Sequence, residues 1–351
     1  MISLVRRLSR SRVAALIPFV LGLALALPLV TPAHATDSAV VVMYHRFGED
    51  NYPATNIGLA QFEEHLAHLK LGGYSVLPVP HIIAALRAGT PLPERTIGIT
   101  IDDAYASVYD EAWPRLTEAG FPFTLFIATD PVDAGTFGTM SWDQLRELTA
   151  AGVTIGSHGA SHGHLWQGDP SSARDDITRA EQRFEQELGF KPSLFAYPYG
   201  EYDLPTRQVV NEFGFEAAFG QHSGTVHPAA DFQGLSRFAL NERFGGMDRF
   251  SLIVGTLPLP VTDVTPADPL ISSPNPPAFG FTVTAHLNEV GALACFASHQ
   301  GEARIERLGS SRIEIRLDEP LPQGRSRINC TMPASEGRWR WFGHQFIVAA
   351  P

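Results

Sequence analysis

The sequence predicts an α/β protein of parallel β/α units followed by a small antiparallel β-sandwich. Three observations lead there. Short apolar runs alternate with amphipathic stretches from residue 39 to residue 220. A proline-rich stretch without periodicity, residues 257–280, interrupts the pattern, and beyond it six short runs alternate apolar with polar residues. Apolar strands joined by helices make a parallel sheet, either a barrel or doubly wound. In both, catalytic side chains gather at the C-terminal ends of strands.

Residues 39–44 (AVVVMY) are a continuous apolar run ending at His45, the pattern of a buried strand. Phe62, Leu66 and Leu69 recur at helical spacing within 60–72, and a second helix covers 81–88. TIGITI (96–101) is the next strand, followed by a helical 107–119, FTLFIA (123–128), a helix from Ser141 to Ala151 and VTIGS (153–157). An amphipathic helix over 171–188, the strand LFAYP (194–198), a helix over 204–213 and EAAFG (216–220) follow. Residues 257–280 read as an extended linker. FTVTAH, ALACFAS, ARIERL, RIEIRL, RSRINCT and RWRWFGHQFIV then read as the strands of the sandwich, residues 281–351. On the last of these, Trp339 and Trp341 alternate with arginines, either as one packed face or as an aromatic platform for a sugar.

The 351 residues are 44% hydrophobic and 18% charged, which excludes a disordered tail protein and suits about two domains. Formal charge is −11, from 26 basic and 37 acidic side chains, so nucleic acid is excluded as the main partner. Residues 1–35 have the pattern of a secretory signal peptide. Arg6, Arg7, Arg10 and Arg12 form a positive head, Val13 to Val30 is apolar, and Ala33-His34-Ala35 supplies a cleavage site. An uncleaved anchor helix is the rival, because the apolar run just reaches spanning length. Pro18 and Pro28 within it favour cleavage. Cleavage removes four arginines and no acid, leaving −15 on an exported, periplasmic or secreted chain with no stable membrane span. Cys295 and Cys330 are the two cysteines, both in strand-like runs, and an oxidising compartment favours a disulfide between them over two buried thiols.

Chemistry-bearing residues cluster at strand ends of the first part. Asp102 and Asp103 directly follow TIGITI; adjacent carboxylates there point in different directions, so one can bind a metal while the other faces a substrate. The alternative is a turn with a helix cap. In IGSHGASHGHL, His158 and His162 lie four positions apart on a glycine-rich loop after VTIGS. Two neutral imidazoles with a carboxylate, Asp103 being the nearest, make a three-ligand divalent site; a plain polar loop is the alternative. His164 reads as support or surface. In FAYPYGEYD, the turn at Tyr199 could aim its backbone N–H at a developing oxyanion, or be an ordinary Pro-Gly turn.

In order and spacing these clusters resemble the polysaccharide deacetylases, the family of the NodB homology domain (carbohydrate esterase family 4). The family pattern T-F-D-D-G, H-[ST]-x-x-H and R-x-P-Y-G stands here as TIDDA, HGASH and AYPYG, over roughly residues 39–256. The resemblance implies a distorted (β/α) barrel of about seven strands and metal-dependent N-deacetylation of amino sugars. Carried over, Asp103, His158 and His162 bind the metal, Asp102 is the general base and Tyr199 supplies the oxyanion amide. Ala104 replaces the usual Gly. Ala196 replaces an Arg that orients the base, and Arg237 is the candidate substitute. The late L-x-H motif that carries the acid His is missing. VVVMYHRF and DDAYASVY resemble the biofilm poly-N-acetylglucosamine deacetylases, whose permuted order puts the acid first. His45 is then the general acid, with His222 and His227 in reserve.

The expected partner is an acetylated amino-sugar polysaccharide, and the expected cofactor one divalent ion, zinc first, with cobalt, nickel or iron as alternatives. Two other readings stay open: a carbohydrate-binding pseudoenzyme, and a metal-dependent hydrolase of other acyl or amide bonds. The expected division is 1–35 signal peptide, 36–256 catalytic domain, 257–280 linker and 281–351 sandwich.

Overall fold

Six strands run parallel in the order Ala217–Phe219, Leu194–Ala196, Thr154–Ser157, Thr124–Ile127, Thr96–Asp102 and Ala39–Tyr44, and Thr225–Val226 joins the last antiparallel. The seven-strand path curls into a half-barrel. This is a computed structural model; it describes residues 1–2, 35–284 and 290–350, so the expected signal peptide lies almost wholly outside the described residues. Among the described residues, no helix is long and apolar enough to cross a membrane.

The central strands Ala39–Tyr44 and Thr96–Asp102 are buried at every position, as their unbroken apolar runs require. Alternate side chains feed two cores. Val40, Val42, Ile99 and Ile101 pack with Phe62, Leu116 and Phe184 from the helices Leu59–Leu71, Trp113–Ala119 and Pro170–Leu188. Val41 turns the other way, toward Ile82, Phe126 and Phe219. Ser141 and Asp169 start the helices Trp142–Ala150 and Pro170–Leu188 by accepting a backbone N–H on their side chains. The stretch 107–119 is helical but divided: a π-turn over Val108–Ala112 precedes the α-helix, and Pro114, which has no N–H to give, opens the latter. The helix Met247–Val254 and the strand Phe238–Ala239, parallel to Ala39–Tyr44, had no clear sequence signal.

Residues 257–280 do not behave as a linker. Leu257–Pro258, Val261–Thr265, Leu270–Ile271 and the start of Phe279–Val283 are all strands of a second, nine-stranded and mainly antiparallel sheet. Pro258, Pro260, Pro266 and Pro269 masked the alternation, and they sit where proline is tolerated: Pro258 in a two-residue strand, the other three directly beside strand ends. This sheet wraps a core of Phe279, Phe281, Ile313, Ile315, Ile328 and Phe346. The disulfide joins Cys295 to Cys330, which face each other on adjacent antiparallel strands 35 positions apart in sequence. Replacing both by serine is expected to cost roughly 2–4 kcal/mol in urea denaturation, because the bond restricts the unfolded chain. An unchanged unfolding midpoint would contradict that account.

The second sheet lies against the half-barrel. A Cβ on Gly343 would stand 2.1 Å from the carbonyl oxygen of Ser223, so only glycine permits that approach. Trp341 packs edge-on against Phe238, centroids 5.2 Å apart, and donates its Nε1–H to Asn329 Oδ1. This corrects the platform reading: Trp341 belongs to the contact with the barrel, and Trp339 alone is exposed.

Candidate active site and metal centre

Because the central strands are parallel, their C-terminal ends share one edge of the sheet, and the sequence motifs meet there. Asp102 ends its strand and is fully buried. Arg237 grips it with two parallel bonds, Nη1 to Oδ1 at 2.5 Å and Nη2 to Oδ2 at 2.8 Å. The guanidinium is itself fully buried and held by the Gly220 carbonyl at 3.0 Å and the Thr100 hydroxyl at 3.2 Å. Burial alone would push the Asp102 carboxyl up. The positive charge of Arg237 and its two hydrogen bonds reverse this and hold it at about 2. Asp102 is therefore an anion at any working pH. The guanidinium that the missing Arg at Ala196 would have supplied comes instead from Arg237, just before Phe238–Ala239.

Asp103, His158 and His162 form a second group whose ligand atoms all lie within 4.8 Å of one another. Asp103 Oδ1 is 3.3 Å from His162 Nε2 and 3.9 Å from His158 Nε2. His158 Nδ1 donates to the Ala196 carbonyl at 2.6 Å, which fixes the tautomer and leaves a lone pair on Nε2. That Nε2 is buried without a hydrogen-bond partner. An orphaned acceptor aimed at a carboxylate and a second imidazole is what a cation ligand requires, so the residues fit the divalent ion that the motifs imply. Burial lowers the His158 pKa to about 4 and keeps the ring in its neutral, ligating form.

The loop carrying the two histidines is pinned by a residue that the sequence reading passed over. Asp176 accepts from the N–H groups of Ala160 at 2.7 Å and Ser161 at 3.0 Å. Gly159 has φ +74°, and a Cβ there would meet Asp176 Oδ1 at 2.6 Å. The available signal was a carboxylate on the apolar face of the helix Pro170–Leu188, among Ala173, Ile177 and Ala180.

His45 follows Tyr44, which pairs in register with Ile101, so it arrives level with Asp102. It is half-buried. Burial lowers its pKa below the usual histidine value, Asp102 and Asp103 pull it up, and Arg237 and His162 push it down. Tyr199 stands at φ 60°, its ring 4.6 Å from that of His162 and stacked on that of His164 at 4.3 Å. Asp103, His162 and Tyr199 are thus all non-glycine residues in the left-handed region, strain gathered at one place. His222 is buried and lines a cavity with Trp341 and His344 against the second sheet, and His227 lines the same cavity. The reserve candidates are therefore not brought to the Asp103–His158–His162 group.

A family model described as polysaccharide deacetylase matches residues 89–218. That span includes Asp102, Asp103, both histidines and Tyr199 and leaves out His45 and Arg237. The chain is 23% identical over 201 residues to a putative polysaccharide deacetylase, YxkH, of Bacillus subtilis (strain 168), covering 57% of this chain and 69% of that one. It is 22% identical over 232 residues to the poly-beta-1,6-N-acetyl-D-glucosamine N-deacetylase of Staphylococcus aureus (strain MRSA252), covering 59% and 80%. Among solved structures, the Streptococcus pyogenes deacetylase PplD in complex with acetate superposes with a TM-score of 0.57 at 19% identity, over 62% of this chain and 98% of that one, a likeness of fold. Residues 89–218 thus match the model of a family of hydrolases, the polysaccharide deacetylases, and the solved deacetylase shares the fold.

Proposed function

We propose that the protein is an exported, metal-dependent deacetylase that hydrolyses N-acetyl groups of an N-acetylglucosamine polymer to free amine and acetate. The observation that carries the reading is the orphaned Nε2 of His158, facing Asp103 and His162 beside the buried Asp102–Arg237 pair. Asp103, His158 and His162 would hold a divalent ion, zinc first among its neighbours. Bound there, such an ion supplies Lewis acidity toward water and the acetamide carbonyl.

The remaining steps belong to side chains. Asp102, ionised and fixed in orientation by Arg237, accepts a proton from the attacking water. The Tyr199 N–H donates to the oxygen that becomes negative as the carbonyl turns tetrahedral. His45, in its protonated form, gives a proton to the departing nitrogen, which as an amide anion would not leave. Burial holds its pKa below the usual histidine value, and the Asp102 and Asp103 carboxylates offset part of that cost of protonation. The likeness to the staphylococcal enzyme supports a β-1,6 linkage in the substrate, and the arginine-headed apolar N-terminus supports export. We also propose the division into a catalytic part, residues 36–256, and a β part after it.

The test is acetate release from β-1,6 and β-1,4 N-acetylglucosamine oligomers, with and without a chelator. Release that the chelator abolishes and added zinc restores is expected, with β-1,6 oligomers preferred. His158→Ala should lose both bound metal and activity. Absence of release from a folded, metal-loaded sample would overturn the reading, and preferential release from O-acetylated glycans would transfer it to ester hydrolysis.

A further inference from the structure

We infer that the second sheet is part of the catalytic apparatus: Arg325 and Gln345 are positioning residues that hold the Tyr199–Gly200 turn in the shape that presents the Tyr199 N–H. The inference deepens the deacetylase reading and rests on it.

The turn is strained and needs holding. Tyr199 (φ 60°) and Gly200 (φ 69°) are consecutive left-handed residues, and a tyrosine keeps that conformation only where its surroundings impose it. Among the described residues, both carbonyls of this turn accept hydrogen bonds from the second sheet. Arg325 Nη1 donates to the Tyr199 carbonyl at 2.8 Å, and Gln345 Nε2, buried, donates to the Gly200 carbonyl at 2.9 Å. Arg325 and Gln345 come from the neighbouring antiparallel strands Gly324–Pro333 and Trp339–Val348, so one rigid ladder sets both donors.

The same arginine reaches the tyrosine by two further routes. Its guanidinium lies 5.7 Å from the centroid of the Tyr199 ring, and its Nε is 3.4 Å from Oε1 of the buried Glu201. Glu201 Oε2 in turn accepts from His164 Nδ1 at 2.5 Å and Trp166 Nε1 at 2.8 Å, and His164 stacks on Tyr199. Ring and backbone of Tyr199 are thus held by one network joining the barrel to the second sheet. The Gly200 carbonyl that Gln345 holds shares its peptide plane with the Glu201 N–H, which donates to the Pro198 carbonyl at 3.1 Å, and that carbonyl shares its plane with the Tyr199 N–H. The Tyr199 carbonyl that Arg325 holds sets the intervening plane, and an oxyanion donor is effective only when its direction is set before reaction. Removing the holders should therefore lower the transition-state contribution of the Tyr199 amide without touching the metal ligands.

The experiment compares wild type with Arg325→Met, Gln345→Leu and Arg325→Lys. Readouts are kcat and KM on a β-1,6 N-acetylglucosamine pentamer, zinc content and thermal midpoint. Arg325→Met and Gln345→Leu are each expected to lower kcat about 10- to 100-fold, with KM and zinc content within about twofold of wild type. Arg325→Lys, which keeps one donor for the Tyr199 carbonyl, should recover most of kcat. Unchanged kcat in folded, zinc-loaded Arg325→Met would overturn the inference, as would losses that follow the thermal midpoint alone and are not restored by lysine. Arg325 is partly exposed, so Arg325→Met decides the matter even where Gln345→Leu fails to fold. A wild-type protein inactive on every N-acetylated glycan would instead remove the deacetylase reading, and this inference with it.

Discussion

Asp102→Asn is expected to lower kcat about 10²- to 10⁴-fold while leaving zinc content unchanged. Asparagine has nearly the shape of aspartate and its oxygen can still accept from one Nη of Arg237, while its amide meets the other Nη donor to donor, so stability falls but the metal-fitting residues stay in place. What it lacks is a basic oxygen for the proton of the attacking water. The three residues that fit the cation are Asp103, His158 and His162, and Asp102 is not among them. Asp103→Asn should behave oppositely, with zinc content falling together with activity. Zinc analysis of the two purified variants beside their steady-state rates separates the roles of these adjacent carboxylates. An Asp102→Asn enzyme retaining more than a tenth of wild-type kcat would remove the general-base assignment.

The parallel sheet and the position of its motifs were legible because each strand is a continuous apolar run that ends on a polar residue. The exit of Ala39–Tyr44 into His45 and of Thr96–Asp102 into Asp103 is visible in the residue order. The metal-fitting trio was legible for the same reason, two histidines and a carboxylate each following a strand. Contacts made across the fold were not legible. Arg237 is visible only as a substitute for the arginine missing at Ala196; nothing local announces a guanidinium with no exposed surface. Asp176 was hidden because a carboxylate on a helix reads as solvated, whereas this one takes up two backbone N–H groups of the histidine loop. Residues 257–280 look like a linker because prolines break the period-two signal, although their hydrogen-bonding partners lie as far ahead as Trp339–Val348. Arg325 and Gln345 carry no signal at all, since their partner is a turn more than a hundred residues away.

Arg237→Met, measured in the metal-free protein at pH 7, is expected to cost about 3–5 kcal/mol of stability, because it leaves the Asp102 carboxylate buried without its partner. The pH dependence gives the sign. In the wild type the Asp102 carboxyl sits at about 2 against an ordinary value of 3.8, so its stabilising contribution is complete above the ordinary value and fades as pH falls toward 2. Without Arg237, burial dominates and raises the carboxyl above its ordinary range. The variant then regains stability as acid neutralises the group, while the wild type loses it. The gap between the two proteins should therefore narrow from pH 7 to pH 3, and urea titrations at several pH values would show it. Asp102→Leu/Arg237→Met removes both charges together. It should recover most of the stability lost in Arg237→Met and have no measurable activity, because a buried ion pair adds little over apolar residues of similar volume. Such an outcome would mean that the pair is kept for its base rather than for the fold. A double variant as unstable as Arg237→Met alone would mean that the strand end depends on these charges whatever chemistry they perform.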